Sequence, residues 1–133
     1  MRCLDSLILL KSKSKGGIYS INIPNYEENY YKIGRSTASL YMRFLSYILY
    51  YPKKDFSVPY MLEMPNKTSK QKTKIRGAEA YIHQYLKKYV VDTGSIRKEW
   101  FNLDKDQKQI MIRAFYAAKR KFGGIIRVNE KSL

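Results

Sequence analysis

Cys3 is the only cysteine in the 133 residues, so no disulfide can close within the chain and no cysteine-based zinc site can form in one copy. A reducing, intracellular compartment is the expected setting. Histidine is equally scarce. His83 stands alone, which excludes chemistry needing two imidazoles, such as a His-rich zinc centre, and most hydrolase templates fall with it. No apolar stretch approaches the roughly 18–20 residues that span a bilayer. The run Leu4 to Leu10 is short and interrupted by Asp5 and Ser6, so neither a signal peptide nor a membrane span is expected. No internal repeat or low-complexity domain is found.

Acids are also few. Eleven Asp and Glu stand against 26 Lys and Arg, leaving a net charge of +15. Such an excess favours a polyanionic partner, because Lys and Arg gain by displacing counterions condensed on nucleic acid. DNA is the expected partner, with RNA as the alternative. A membrane surface is disfavoured, since no strongly amphipathic basic helix flanks an anchor. Hydrophobic residues make up 44% of the chain, enough for one modest core, so residues 1–133 are read as a single domain. Thirteen tyrosines supply core filling and stacking surface.

Ile18 to Ile23 and Tyr30 to Gly34 are two β-type runs. The turn formers Pro24-Asn25-Tyr26-Glu27-Glu28-Asn29 lie between them, which predicts a hairpin. Residues 1–16 form a lead-in whose basic end, Lys11 to Gly16, is either a phosphate contact or a solvated linker. Ser36-Thr37-Ala38-Ser39 offers N-cap side chains for a helix with Leu40, Phe44, Tyr47, Ile48 and Tyr51 at helical spacing, stopped by Pro52. Arg43 and Tyr47 share a side of that helix. Phe56 to Met64 alternates as a third strand, at an edge or broken at Pro59. Asn66 to Arg76 holds Lys67, Lys70, Lys72, Lys74 and Arg76 without an acid. Such a run is either a solvated loop or a phosphate-tracking arm. A helix is predicted over Ala78 to Val91, burying Ala78, Ile82, Tyr85, Leu86 and Tyr89, with Glu79 and His83 on one flank. Residues 104–133 form a helix over Lys105 to Lys121, opened by an Asp104–Gln107 capping box, and a tail in which Ile125 to Val128 could be a strand.

Gly17-Ile18-Tyr19, Lys32-Ile33-Gly34, Arg43 nine positions after Gly34, Gly77-Ala78-Glu79-x-x-x-His83 and Glu99-Trp100-Phe101 follow one another in order. Together they resemble the GIY-YIG nuclease superfamily, in its phage and large-virus DNA-binding branch (phage T5 orf172-like), over about residues 17–103. The resemblance implies an α+β fold, with a mainly three-stranded antiparallel sheet and about three helices, and Trp100 in the core. It implies that Tyr19, Lys32, Arg43 and Tyr47 are catalytic, that Glu79 holds Mg²⁺ or Mn²⁺, and that His83 supports the metal site. The four residues Tyr19, Lys32, Arg43 and Glu79 should then converge on one face of the sheet. Lys67, Lys70, Lys72, Lys74 and Arg76 would contact nucleic acid. Asn102 is a looser match to a polar residue after the glutamate.

In that scheme Tyr19 helps to deprotonate the attacking water, which requires nearby cations to lower its phenol from about 10. Lys32, in place of a tyrosine, could bind phosphate, lower Tyr19 or mark a site that binds without cutting. The functions implied are therefore a metal-dependent endonuclease, a non-catalytic DNA-binding module, or a basic structural component of a viral particle. Host cytoplasm, nucleus and virion are the corresponding locations.

Overall fold

Strand β1, Gly16–Asn22, is the axis of the sheet, because its alternation sends Ile18 to one face and Tyr19 to the other. The computed structural model describes residues 15–22, 29–50, 57–92, 99–104 and 107–128. Along the chain follow β2 (Tyr30–Ser36), α1 (Leu40–Tyr50), β3 (Tyr60–Met64), α2 (Ser69–Tyr85) and a 3₁₀ turn at Lys87–Tyr89. Then come β4 (Trp100–Asn102), α3 (Lys108–Phe122) and β5 (Ile125–Val128). The strands lie in the order β4-β2-β1-β3-β5, every neighbour antiparallel. The expected hairpin is present, with Tyr19 opposite Gly34 and Ile21 opposite Lys32. Its turn, residues 23–28, lies outside the described residues, as do residues 1–14.

The sheet corrects one expectation: it has five strands rather than three. The class, α+β with an antiparallel sheet and three helices among the described residues, is otherwise as expected. Of the two added strands, β5 lies where a possible strand was expected, at Ile125–Val128, while β4, three residues long, is too short for alternation to register. They exist because the longer strands β2 and β3 offer open edges to pair with. Trp100 is likewise only half-buried, and it is Phe101, at 1% exposure, that enters the core.

Close approach explains Gly17. At φ 139° a Cβ there would fall 1.9 Å from the Leu62 carbonyl oxygen, so a side chain would push β1 off β3. Pro59 ends the irregular segment immediately before β3, where its missing N–H costs the ladder nothing.

Each face carries its own cluster. Ile18, Ile33, Leu62 and Phe101 pack under α2 and α3, meeting Ile75, Ala78, Ile82, Ala114 and Phe115. Tyr19, Ile21 and Met61 pack under α1, meeting Leu40 and Phe44. Each fully buried aliphatic or Phe side chain contributes roughly 1.5–3 kcal/mol. Helix α1 starts where expected, with Met42 N–H donating to Ser39 Oγ at 3.2 Å. Asp104 and Gln107 also exchange the expected bonds before α3, at 3.1 and 3.4 Å.

Helix α2 begins much earlier than its apolar spacing suggests. Thr68 and Gln71 form a capping box, Gln71 N–H donating to Thr68 Oγ1 and Thr68 N–H to Gln71 Oε1, each at 3.1 Å. Lys70, Lys72, Lys74 and Arg76 therefore lie on a helix and not in a loop; only Lys67 precedes it. The buried stripe shifts accordingly. Ile75 joins it, and Tyr85 is 42% exposed.

Candidate functional site

Tyr19 packs its ring over its cross-strand neighbour Gly34. A Cβ on Gly34 would stand 2.5 Å from the Tyr19 hydroxyl and 2.6 Å from Cζ, so only glycine leaves room for the phenol. From α1, Phe44 meets that ring edge-on at 5.5 Å and 81°. Tyr47 comes from the next turn and places its hydroxyl 3.0 Å from that of Tyr19, either oxygen being able to donate. Lys32 Nζ donates to the Tyr47 hydroxyl at 2.9 Å and lies 3.7 Å from Glu99 Oε2. These contacts form a short relay, ammonium to phenol to phenol, whose far end is Tyr19.

Burial, and then the neighbouring Tyr47, push the Tyr19 phenol far above its ordinary value. The Arg43 guanidinium pulls the other way and is outweighed. The net lowering that proton removal by Tyr19 would require is therefore not supplied. At neutral pH the group is a hydrogen-bond donor, firmly protonated.

The outer edge of β2 explains why an opening exists beside this relay. Strand β4 pairs only with Tyr30, Tyr31 and Lys32. At Ile33 the ladder gives way to single bonds: its N–H donates to the Glu99 carbonyl at 2.9 Å, and its own carbonyl accepts from His83 Nε2 at 2.8 Å. Beyond Ile33, no strand covers that edge of β2 among the described residues. Arg35 emerges there and donates through Nη1 to Glu79 Oε1, which α2 brings in from the opposite face. Glu79 is 5% exposed, and its second oxygen, Oε2, has no hydrogen-bond partner.

The result is a cleft of about 440 Å³ lined by Tyr19, Lys32, Gly34, Arg35, Thr37, Arg43, Glu79, His83 and Glu99. Tyr19, Lys32, Arg43 and Glu79 thus come together from four elements. They do so around an open sheet edge, with Glu79 arriving from the α2 side, rather than on one face. Arg43 is exposed at the cleft wall and forms no ion pair among the described residues. Tyr47 stands behind Tyr19 and Lys32. His83 spends its bond on the sheet edge, holding α2 to β2. Asn102 is exposed on β4 and is not part of the lining.

The chain matches the T5orf172 domain family across residues 16–115. It belongs to that family. No curated protein and no solved structure matches it significantly. The T5orf172 match takes in every residue lining the cleft, whereas the end of α3 and all of β5 fall outside it.

Besides Thr37, two lining residues of this T5orf172 domain escape sequence reasoning, Arg35 and Glu99. Both adjoin quoted motifs, Arg35 directly after Lys32-Ile33-Gly34 and Glu99 at the head of Glu99-Trp100-Phe101, yet neither spacing announces a partner. For α2, by contrast, Thr68-x-x-Gln71 was a readable start signal.

Among the described residues no group of three or more His, Cys, Asp and Glu side chains is gathered as a metal nest. A cation there would therefore rest on fewer than three such side chains. Glu79, which lines the cleft and has no hydrogen bond on Oε2, is the carboxylate placed for that role.

Proposed function

We propose that this protein binds nucleic acid, seating a backbone phosphate in the cleft at the edge of β2, and that the cleft is a GIY-YIG-type site for metal-dependent phosphodiester hydrolysis. The observation that carries the reading is the convergence of Tyr19, Lys32, Arg35 and Arg43 around the half-satisfied carboxylate of Glu79. A carboxylate with one oxygen free of hydrogen bonds, among several cationic or neutral donors, suits a phosphate with a cation companion.

Each side chain then has a stated task. Arg43, free of ion pairs with described residues, aims its fixed fork of donors at the phosphoryl oxygens. Tyr19 donates a hydrogen bond from its protonated phenol to a phosphate oxygen or to water beside it, oriented by Tyr47 and Lys32. Glu79 would hold Mg²⁺, or Mn²⁺, through Oε2, and such an ion supplies charge stabilisation at the phosphate and the departing oxygen. Arg35 keeps Glu79 paired and presents its remaining N–H groups to the cleft.

A second reading, binding without cleavage, is favoured by one observation. The Tyr19 phenol is held protonated by burial and Tyr47, so it is not poised to take a proton from water. A nicking assay on supercoiled plasmid, with Mg²⁺, Mn²⁺ or neither, decides between the two. Cation-dependent nicking supports hydrolysis; tight binding with no nicking across a range of pH leaves the binding module. Parallel titration with RNA tests the other polyanion.

A further inference from the structure

The fold divides the basic run at the start of α2 between two flanks. Residues four, seven or eleven apart share a side of a helix. Lys72 and Arg76 therefore lie along the flank that continues into Glu79 and His83, both of which line the cleft. Lys70 and Lys74 continue instead into Gly77 and Tyr81, which lie against the end of α3. A Cβ on Gly77 would meet Phe122 Cε1 at 3.0 Å, and the Tyr81 and Phe122 rings are 6.0 Å apart. Lys121 Nζ stands 5.1 Å from the Tyr81 ring centre. Contacts thus anchor both flanks, and the buried stripe Ile75, Ala78 and Ile82 fixes the helix's rotation between them.

Before Glu79, the charge along the cleft flank is positive only. Glu79 is the only acid in α2, and Arg35 is already paired with it. From Lys72 to Glu79 is seven residues, about 10 Å of axis at 1.5 Å per residue. Over that length of duplex axis one strand presents about three phosphates, at 3.4 Å of rise each.

We propose that this flank is a track for the phosphate backbone. It leads one strand of duplex DNA away from the cleft past Arg76 and then Lys72, while Lys70 and Lys74 contact none of it. The inference rests on the nucleic-acid reading above and gives it a side and a direction. Contacts of this kind hold register without reading sequence.

The test uses two double variants of equal charge loss in the same helix, Lys72→Gln with Arg76→Gln, and Lys70→Gln with Lys74→Gln. Glutamine keeps helix propensity close to that of Lys and Arg, and thermal melts confirm that both fold. A fluorescently labelled duplex of about 20 base pairs is titrated between about 50 and 200 mM salt. The cleft-flank pair should flatten the slope of log K against log salt by about 1.8, equivalent to roughly 60-fold in affinity at 0.1 M salt. The other pair should leave the slope unchanged. Equal flattening by both, or flattening by Lys70 and Lys74 alone, overturns the track while nucleic-acid binding stands. Wild-type protein that binds no duplex at any salt overturns both.

Discussion

Two glutamates are buried to nearly the same depth, Glu63 at 3% exposure and Glu79 at 5%, and each meets an arginine from a distant part of the chain. Glu63, in β3, accepts from Arg127 Nε of β5 at 2.8 Å through Oε1, and its Oε2 lies 4.0 Å from Lys15 Nζ. Each oxygen faces a cation. Glu79 has Arg35 on one oxygen and no hydrogen bond on the other, and it opens onto the cleft. Removing a carboxylate from water costs several kcal/mol unless charges and hydrogen bonds replace the lost hydration. The interior supplies that replacement in full for Glu63 and in part for Glu79. Burial and an arginine partner therefore do not mark a site. Glu63 is a clamp joining β3 to β5, whereas Glu79 lines the cleft with one oxygen lacking a hydrogen bond.

The largest effect should come from removing the two charges in turn. Glu79→Gln is expected to abolish Mg²⁺-dependent nicking, a loss of several kcal/mol of transition-state stabilisation, with duplex affinity retained. Glu63→Gln is expected to leave nicking per folded molecule unchanged. Equal losses in the two variants would erase the distinction.

Next in size is Arg127→Ala, which strands the clamp's carboxylate. Breaking a buried pair costs 3–5 kcal/mol, and about 3 is expected here because Arg127 is partly exposed and Lys15 remains. Urea denaturation measures it, and a cost under about 0.5 kcal/mol, typical of surface changes, would show that Glu63 needs no clamp.

Arg35→Ala should cost less, about 2 kcal/mol, between the value for an exposed pair and that for a buried one, since the Arg35 side chain is 42% exposed. The sharper readout is recovery. Mg²⁺ should raise the variant's Tm more than the wild type's, because a cation replaces the missing guanidinium. Identical Mg²⁺ shifts would argue that Glu79 holds no cation.

The smallest effect concerns Tyr60, whose hydroxyl is the other buried side-chain polar atom without a partner among the described residues. Its ring lies 5.9 Å from Phe115 in the core, and it does not line the cleft. Tyr60→Phe should change stability by less than about 1 kcal/mol, in either direction. Burial pushes this phenol up to about 12. Its contribution is complete below the unfolded value near 10 and is lost as pH rises through 12, since the unfolded chain then releases its proton first. The variant should lose part of the wild type's alkaline destabilisation between pH 10 and 12. Unchanged alkaline curves would contradict the buried assignment.

Much of this was readable along the chain. The hairpin follows from alternation on either side of turn formers, α1 and α3 from caps followed by apolar residues at helical spacing, and the appetite for polyanions from an excess of 15 positive charges. Each of these signals is complete within a few residues, or needs no geometry at all. Ile125 to Val128 was readable as a possible strand, and β5 lies there, but β4 was not, because three residues become a strand only when a neighbour's edge is there to pair. Arg35 and Glu79 are 44 positions apart, and nothing local to either specifies that they meet. The upward push on Tyr19 depends on how deeply Phe44 and Tyr47 bury it, a property of packing and not of residue type. Local period thus determined where the elements lie and what charge they carry. Only the folded chain decided which side of α2 faces the cleft and which carboxylate was left half-satisfied, because burial and pairing are set by contacts between elements that sequence order keeps apart.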